Sequence, residues 1–435
     1  MDFPFEAVFI IGGLLVLMAL SVPIGIALIV ASFVGIASVL GVPAAMRLVA
    51  DMPREVVSSW ELSAIPMFLL MGAIALYGGL TDALFKAARA WLGWLPGGLA
   101  VSANMAAVGL GATTGSSLAT TVAVGRISIP EMQRSRYDMG LAAATCASAG
   151  TIAALIPPSI PLIVYAMFAE QSLVRLFAAG VIPGLLTAFA YIALIVWRSW
   201  SRPELAPRAK DVYTWGERVA SLREVWPLPV LVLGVFGGLY GGYIGPTEAG
   251  GFGSFLALLI TIAKRRMSVA IFRRCLREAA TTTALILFVA IGAVMLARYM
   301  ALIGLPEALT EAMRAAELSP LFLILITSVI YLILGMFLDP MGVMLLSLPI
   351  FLPMFDAMGY DLIWFGIIVV KFIEIGLLTP PLGMNVFAVR TVLPKEVSLE
   401  RVYAGLGWFL LAEAVVMVLL FAFPAIVMWL PNTLT

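Results

Sequence analysis

The sequence contains no histidine. That excludes Ser-His-Asp and Cys-His nucleophilic triads, HExxH zinc sites and histidine-ligated haem. Its two cysteines, Cys146 and Cys275, sit in unrelated contexts and form no CxxC. A disulfide framework is therefore not expected. Charge is also scarce. Only 12% of the residues are charged and the net charge is +1, whereas soluble domains carry about 25% charged residues. A water-soluble globular protein is ruled out, and nothing in the charge balance suggests a nucleic-acid partner.

Apolar residues fill the space instead, at 62% of a 435-residue chain. The mean hydropathy is +1.08. Apolar runs recur from end to end, and by the yardstick of about 20 residues per span there is room for roughly ten to thirteen segments. The composition predicts an all-α polytopic membrane protein. The N-terminus is apolar from Phe3 onward without a basic leader region, so it reads as a first transmembrane segment and not as a removable signal.

Sliding the sequence on itself exposes an internal repeat. Pro157-Pro158 falls on Pro380-Pro381, Tyr137-Asp138 on Tyr360-Asp361, Pro130 on Pro353 and Pro23 on Pro246, all at an offset of 223. Gly111 and Gly335 match at 224. These are turn-forming or helix-breaking residues, so a shared offset implies shared architecture. The reading divides the chain into a first repeat at 1–197, a linker at 198–225 and a second repeat at 226–435. The linker region is the longest hydrophilic stretch, with six Lys/Arg between Arg198 and Arg223. Trp226–Ala263 suits a helical hairpin broken at Gly241-Gly242 and Gly245-Pro246, and Phe3–Leu40 is its counterpart, broken near Pro23. Lys264–Arg277 carries six Lys/Arg and no acid, while Arg47, Asp51, Arg54 and Glu55 after the first hairpin cancel. By the positive-inside rule the halves read as oppositely oriented, the inverted repeat of secondary transporters; the alternative is a simple duplicated bundle with weak charge bias. Between Thr81 and Trp94, Lys86 and Arg89 lie among apolar residues at helical spacing, as in a surface-lying helix.

Two segments have the chemistry of re-entrant hairpin tips. Gly111–Thr121 reads GATTGSSLATT, and Gly115, Ser116 and Ser117 are placed at its turn, within a hairpin near 111–130. Unwound backbone in a bilayer is tolerated only inside protein or along a cavity, where it offers the oxygen ligands that hard cations prefer. Its partner lies near 334–353, where Asp339-Pro340 interrupts an apolar run. A carboxylate there is costly facing lipid and is expected to face a cavity or an ion; the alternative is a helix cap. The Pro-Pro pairs at 157–158 and 380–381 predict broken helices, whose half-helix ends can meet substrate and coupling ions. Ser159, Thr379 and Asn385 are the polar groups beside these breaks. Glu374 follows Lys371 by three residues, a spacing that allows pairing on one helix face. Glu248 in GPTEAGG falls near a hairpin turn, and Arg298 is a candidate receptor for a substrate carboxylate or a helix anchor.

These motifs, with EQSLVRLFAAGVIPG (Glu170–Gly184) and EIGLLTPPLGMNVF (Glu374–Phe387), carry a resemblance over nearly the whole chain. The chain resembles the large, DctM-type membrane subunit of tripartite ATP-independent periplasmic (TRAP) transporters. The resemblance implies an elevator mechanism, with a mobile domain of two hairpins and two broken helices moving against a fixed scaffold. It implies three partners, namely a separate small four-helix membrane subunit, a periplasmic substrate-binding protein and an organic acid substrate. It also implies residence in the bacterial inner membrane, among its lipids. Sodium is the implied coupling ion. Carried over by motif, Gly115, Ser116, Ser117 and Pro157 would frame one sodium site, and Gly335, Asp339, Thr379 and Pro380 the other. Ser159, Asn385 and Arg298 remain candidates for substrate contact. Lys371 and Arg390 have no assigned role. The rival readings are a stand-alone dicarboxylate or citrate carrier, an intramembrane hydrolase using Ser116 or Ser117, which lacks a base, and a non-transporting scaffold.

Overall fold

The computed structural model describes residues 5–207, 213–315 and 320–434. Residues 208–212 of the predicted linker therefore lie outside the described residues, as do Phe3 and Pro4 of the first hairpin. Among the described residues every regular element is helical.

The first half runs through α1 (Phe5–Ala19), α2 (Ile24–Leu40), α3 (Val42–Val57), α4 (Ala64–Tyr77), α5 (Asp82–Leu92), α6 (Gly98–Thr114), α7 (Ser117–Arg134), α8 (Met139–Ala153), α9 (Ile160–Phe168) and α10 (Leu173–Ser201). Helix α11 (Trp215–Val225) follows, opened by a capping box between Thr214 and Glu217. The second half comprises α12 (Pro227–Tyr240), α13 (Pro246–Ala263), α14 (Val269–Leu302), α15 (Leu305–Ala315), α16 (Pro320–Phe337), α17 (Pro340–Ala357), α18 (Leu362–Gly376), α19 (Met384–Arg390), α20 (Leu399–Ala422) and α21 (Ala425–Leu434).

The helix starts repeat. Those of α12, α13, α15, α16, α17, α18, α19 and α20 lie 222 to 226 residues after those of α1, α2, α5, α6, α7, α8, α9 and α10, and α14 takes the place of α3 and α4 together. Packing repeats as well. Helix α4 lies on α13 while its counterpart α14 lies on α2, and α6 lies on α8 as α16 does on α18. Likewise α8 packs on α20 while α18 packs on α10.

The repeated Tyr-Asp pair has a local cause. Asp138 caps α8 by accepting from Leu141 N at 2.9 Å, and Asp361 caps α18 by accepting from Ile363 N and Trp364 N at 2.8 and 3.2 Å. Each satisfies backbone donors that a helix start leaves over. Burial works against the ionised form of Asp138, but the Arg401 guanidinium, at 2.5 Å, and the helix N–H groups outweigh it and hold its carboxyl below the ordinary range. The Asp138–Arg401 pair puts the start of α8 at the start of α20. Trp364 Nε1, which donates to Leu420 O at 3.3 Å, puts the start of α18 at the other end of the same helix. From Arg401 to Leu420 is about 29 Å of helix at 1.5 Å per residue. The two broken helices thus begin at opposite ends of α20.

Fewer helices cross in one piece than the apolar runs suggest. Among the described residues, five are long and apolar enough to span a bilayer, or seven if each of two bent pairs is one span. Most of the remaining helices are shorter, and several begin or end beside Gly or Pro. Helix α5 turns 66° away from α4. It buries Leu84, Phe85, Ala87 and Ala90, leaves Lys86 exposed and ties Arg89 to Glu131 at 2.8 Å, as a surface-lying amphipathic helix requires.

Helices α8 and α18 form the centre, buried along Gly140–Ala153 and Ile363–Gly376. Small residues let neighbours approach closely, the usual route to helix association in lipid. A methyl group at Gly111 would sit 2.7 Å from Ala153 Cα, and one at Gly335 would sit 3.1 Å from Gly376 Cα. The matched glycines therefore mark the same tight crossing, α6 on α8 and α16 on α18.

Candidate functional site

Helices α6 and α7 fold back on each other around Gly115-Ser116. Gly115 has φ +58°, which costs an L-residue strain, and any side chain there would strike the Pro158 carbonyl. Ser116 is extended and caps α7, accepting from Ala119 N at 3.5 Å. The tip is latched to the first broken helix, because Ile160 N donates to Gly115 O at 3.2 Å. In the second half α16 and α17 meet at Leu338-Asp339. Asp339 Oδ2 accepts from Met341 N and Gly342 N, both at 3.1 Å, so the carboxylate does cap a helix. Gly383 N, at the far side of the second break, donates to Met336 O at 3.3 Å. Both hairpins are thus held to their broken helices by one hydrogen bond at equivalent places.

The two tips bound one cavity of about 380 Å³. Gly115, Ser116, Ser117 and Leu118 line it from the first hairpin and Asp339, Pro340 and Met341 from the second. The rest of the wall is Ile160-Pro161 of α9, Pro23–Gly25 ahead of and in α2, and the middle of α14 from Thr282 to Val289. Asp339 therefore both caps α17 and faces the cavity. A larger cleft of about 790 Å³ lies between the α9–α10 and α12–α13 turns, with Trp60, Glu170, Gln171 and Glu248 in its wall. None of the predicted sodium or substrate residues lines it, and of the charged residues singled out from the sequence it contains Glu248. Glu248 is engaged at the turn, accepting from Gly245 N at 2.7 Å.

The other predicted site residues fall elsewhere. Pro157 lies buried in the break between α8 and α9, and the Pro157-Pro158 and Pro380-Pro381 peptides are both cis. Ser159 is fully buried and caps α9, donating to Ala154 O and accepting from Leu162 N at 3.3 Å. Its hydroxyl is already used, and it does not line the cavity. Gly335 belongs to the α16–α18 crossing, a turn before the tip. Thr379 returns its hydroxyl to Ile375 O at 2.7 Å, and Pro380 is exposed. Asn385 is wholly buried, with Nδ2 donating to Ala147 O at 3.4 Å. Arg298 reaches no cavity residue. It pairs with both oxygens of Glu55 at 2.6 and 2.7 Å and is well exposed, so the helix-anchor alternative describes its place.

Lys371 and Glu374 do not pair with each other as their spacing suggests. Lys371 Nζ donates to Glu413 and, at 3.0 Å, to Thr187 Oγ1. Tyr191 hydroxyl donates to the other Glu413 oxygen. Glu374 instead accepts from Ser117 Oγ at 2.5 Å. Lys371, Glu374 and Glu413 are all 0% exposed, so a charged network from α10, α18 and α20 lies directly behind the first hairpin. Sequence reasoning did not single out Glu413. Its signal was a lone acid inside the apolar run of α20, which lipid would not tolerate unpaired. Arg390, unassigned from sequence, donates to the carbonyls of Pro394, Lys395 and Val397 and holds the loop after α19.

Known proteins agree with this architecture. The chain is 35% identical to the C4-dicarboxylate TRAP transporter large permease protein DctM of Pseudomonas aeruginosa, over 90% of this chain and 91% of that protein. It is 32% identical to the ectoine/5-hydroxyectoine TRAP transporter large permease protein UehC of Ruegeria pomeroyi, over 96% of each. In fold it is similar to the YdaH transporter of Alcanivorax borkumensis, at a TM-score of 0.64 and 13% identity, covering 90% of this chain and 91% of that one. The family described as the tripartite ATP-independent periplasmic transporter, DctM component, matches residues 11–426. Two hairpin tips at one cavity, beside two broken helices and across nearly the full length of such relatives, make the chain a large permease subunit of the TRAP transporter family, resident in the inner membrane.

Proposed function

We propose that the chain is the carrier subunit of a sodium-driven importer of an organic acid, and not an enzyme. The observation that carries this reading is the single cavity shared by both hairpin tips. In a secondary transporter, substrate and coupling ions meet where discontinuous helices expose backbone oxygens and half-helix ends. The N-termini of α7, α9 and α17 lie at this cavity, and helix N-termini favour an anionic group such as a carboxylate. Sodium fits the oxygen-rich tips. Gly115, Ser116, Ser117 and Pro157 frame one ion, and Gly335, Asp339, Thr379 and Pro380 the other. Ser159 serves substrate binding indirectly, by setting the start of α9.

The opposed starts of α8 and α18 support an inverted repeat, and the repeat supports an elevator movement of hairpins and broken helices together. The partners are a small four-helix membrane subunit and a periplasmic binding protein that delivers the acid. One relative is named for C4-dicarboxylates and another for ectoine, so substrate choice belongs to the binding protein more than to this fold. The test is uptake by the reconstituted transporter carrying Ser116→Ala or Asp339→Asn. Both variants are expected to fold and to lose sodium-dependent uptake. Unchanged uptake in both would remove the tips from the mechanism.

A further inference from the structure

Helix α11 lies in the linker between the repeats, away from the tip cavity, and one of its faces is open. Trp215, Val219, Leu222 and Trp226, the last just past the helix end, are 70%, 49%, 48% and 45% exposed. At 3.6 residues per turn these four fall within about 60° of one another. They form an apolar stripe that the described residues leave open. Arg218 and Arg223 fall on either side of it, whereas Glu217 and Glu224 fall on the opposite face. Glu217 is also turned back to the helix start, accepting from Thr214 N at 2.8 Å. The Arg218 guanidinium sits over the Trp215 ring, 5.2 Å from its centroid, and is thereby held at the rim of the stripe. Cations border the apolar face and acids avoid it, the layout of a helix lying in a bilayer interface.

The surroundings fix the leaflet and the sign of the charge. Helix α11 is bent 47° from α12 and α5 is bent 66° from α4, and the two bent helices pack side by side. Trp91 Nε1 of α5 donates to Arg218 O at 3.1 Å. Lys264 Nζ donates to Glu224 O at 3.3 Å, which brings the end of α11 to the α13–α14 turn. Arg266 of that turn pairs with Asp82 at the start of α5 at 2.9 Å. Lys264–Arg277 holds six Lys/Arg and no acid, so the positive-inside rule puts this corner at the cytoplasmic leaflet. Arg218, Arg223 and Arg265 make no ion pair among the described residues. Their charge is left for a partner outside the chain.

We propose that α11 and the α13–α14 turn form a binding surface for an anionic phospholipid of the inner leaflet. The stripe enters the boundary of the acyl chains, and Arg218, Arg223 and Arg265 meet the headgroup phosphate. A zwitterionic lipid offers the same apolar contact but no net charge to the cations. Helix α5 also holds Glu131, at the end of α7, through Arg89 at 2.8 Å, so the lipid lies one helix away from the first hairpin. The inference needs residence in the membrane and not the sodium-coupled reading.

The test uses the purified full-length chain. Delipidated protein in detergent is titrated with phosphatidylglycerol or phosphatidylcholine, and binding of the first lipid is read by native mass spectrometry. The wild type is expected to bind phosphatidylglycerol at least about tenfold more tightly than phosphatidylcholine. Arg218→Gln and Arg223→Gln are each expected to weaken phosphatidylglycerol binding about fivefold, the effect of one cation near an anionic surface, and to leave phosphatidylcholine unchanged. Arg54→Gln, which removes an exposed cation of α3, is expected to change neither. Size-exclusion chromatography reports whether each variant is folded, and the more exposed Arg223 decides the matter if Arg218→Gln is not. In nanodiscs, Trp215→Phe is expected to lose part of the tryptophan quenching by brominated phosphatidylglycerol. Equal wild-type affinity for the two lipids, or wild-type phosphatidylglycerol affinity in the folded arginine variants, would overturn the proposal. So would unchanged quenching in Trp215→Phe, because another chain or water, and not lipid, would then meet the stripe.

Discussion

The buried pair between Lys371 and Glu413 gives a prediction whose size follows from the structure. Their side chains are 1% and 0% exposed. Lys371→Met leaves the Glu413 carboxylate with the Tyr191 hydroxyl alone and deprives Thr187 of its donor. It also leaves Glu374 without the nearby ammonium. Breaking a buried pair from one side costs about 3–5 kcal/mol, while replacing both partners by apolar groups of similar volume is often neutral. Lys371→Met and Glu413→Leu should each destabilise by that amount. The double variant should fall well short of their sum, because Tyr191 keeps a hydroxyl partner in Thr151 at 3.1 Å. A coupling above about 2 kcal/mol is expected, at the upper end of what contacting residues show. Equilibrium unfolding in mixed micelles, followed by tryptophan fluorescence, measures all four species. Additive losses, or a Lys371→Met variant as stable as the wild type, would refute the pairing argument.

Three further outcomes follow from the tips and from the residue set apart from them. Asp339→Asn preserves the cap, since Asn caps about as well as Asp, so its thermal stability should match wild type while sodium-dependent uptake is lost; Asp339→Ala should lose about 1 kcal/mol in addition. Gly115→Ala places a side chain at φ +58° and against the Pro158 carbonyl. It should cost at least about 1–2 kcal/mol and abolish uptake, measured by unfolding and transport side by side. Arg298→Ala removes an exposed ion pair with Glu55, so it should change stability by less than about 1 kcal/mol and leave the KM for substrate unchanged.

The parts legible in the sequence are those whose cause is local. Pro157-Pro158 and Pro380-Pro381 stop helices wherever they occur, and Gly115 and Asp339 mark turns because of what their own backbones and side chains permit. Four such features at one offset predict a repeat, and the helix starts are consistent with it. The buried network was not legible, because its members come from α10, α18 and α20, and the residues joined lie far apart in the chain. The three-residue spacing of Lys371 and Glu374 suggested the wrong pair, since helical spacing knows nothing of a third helix carrying Glu413. Arg298 depends on a distant part of the chain in a similar way. An isolated arginine in an apolar helix resembles a ligand group until its partner, Glu55 on α3, is brought alongside. Hydropathy does not register where an apolar run is broken, so a count of runs is not a count of continuous helices.

The most direct test of the transport account is uptake into proteoliposomes holding this chain and the small membrane subunit proposed for it. Labelled organic acid is supplied outside, with and without the binding protein and with and without an inward sodium gradient. The account predicts accumulation only when the binding protein and the gradient are both present. Uptake that needs no binding protein would make the chain a stand-alone carrier. Uptake indifferent to sodium would contradict the coupling on which the reading of both hairpin tips depends.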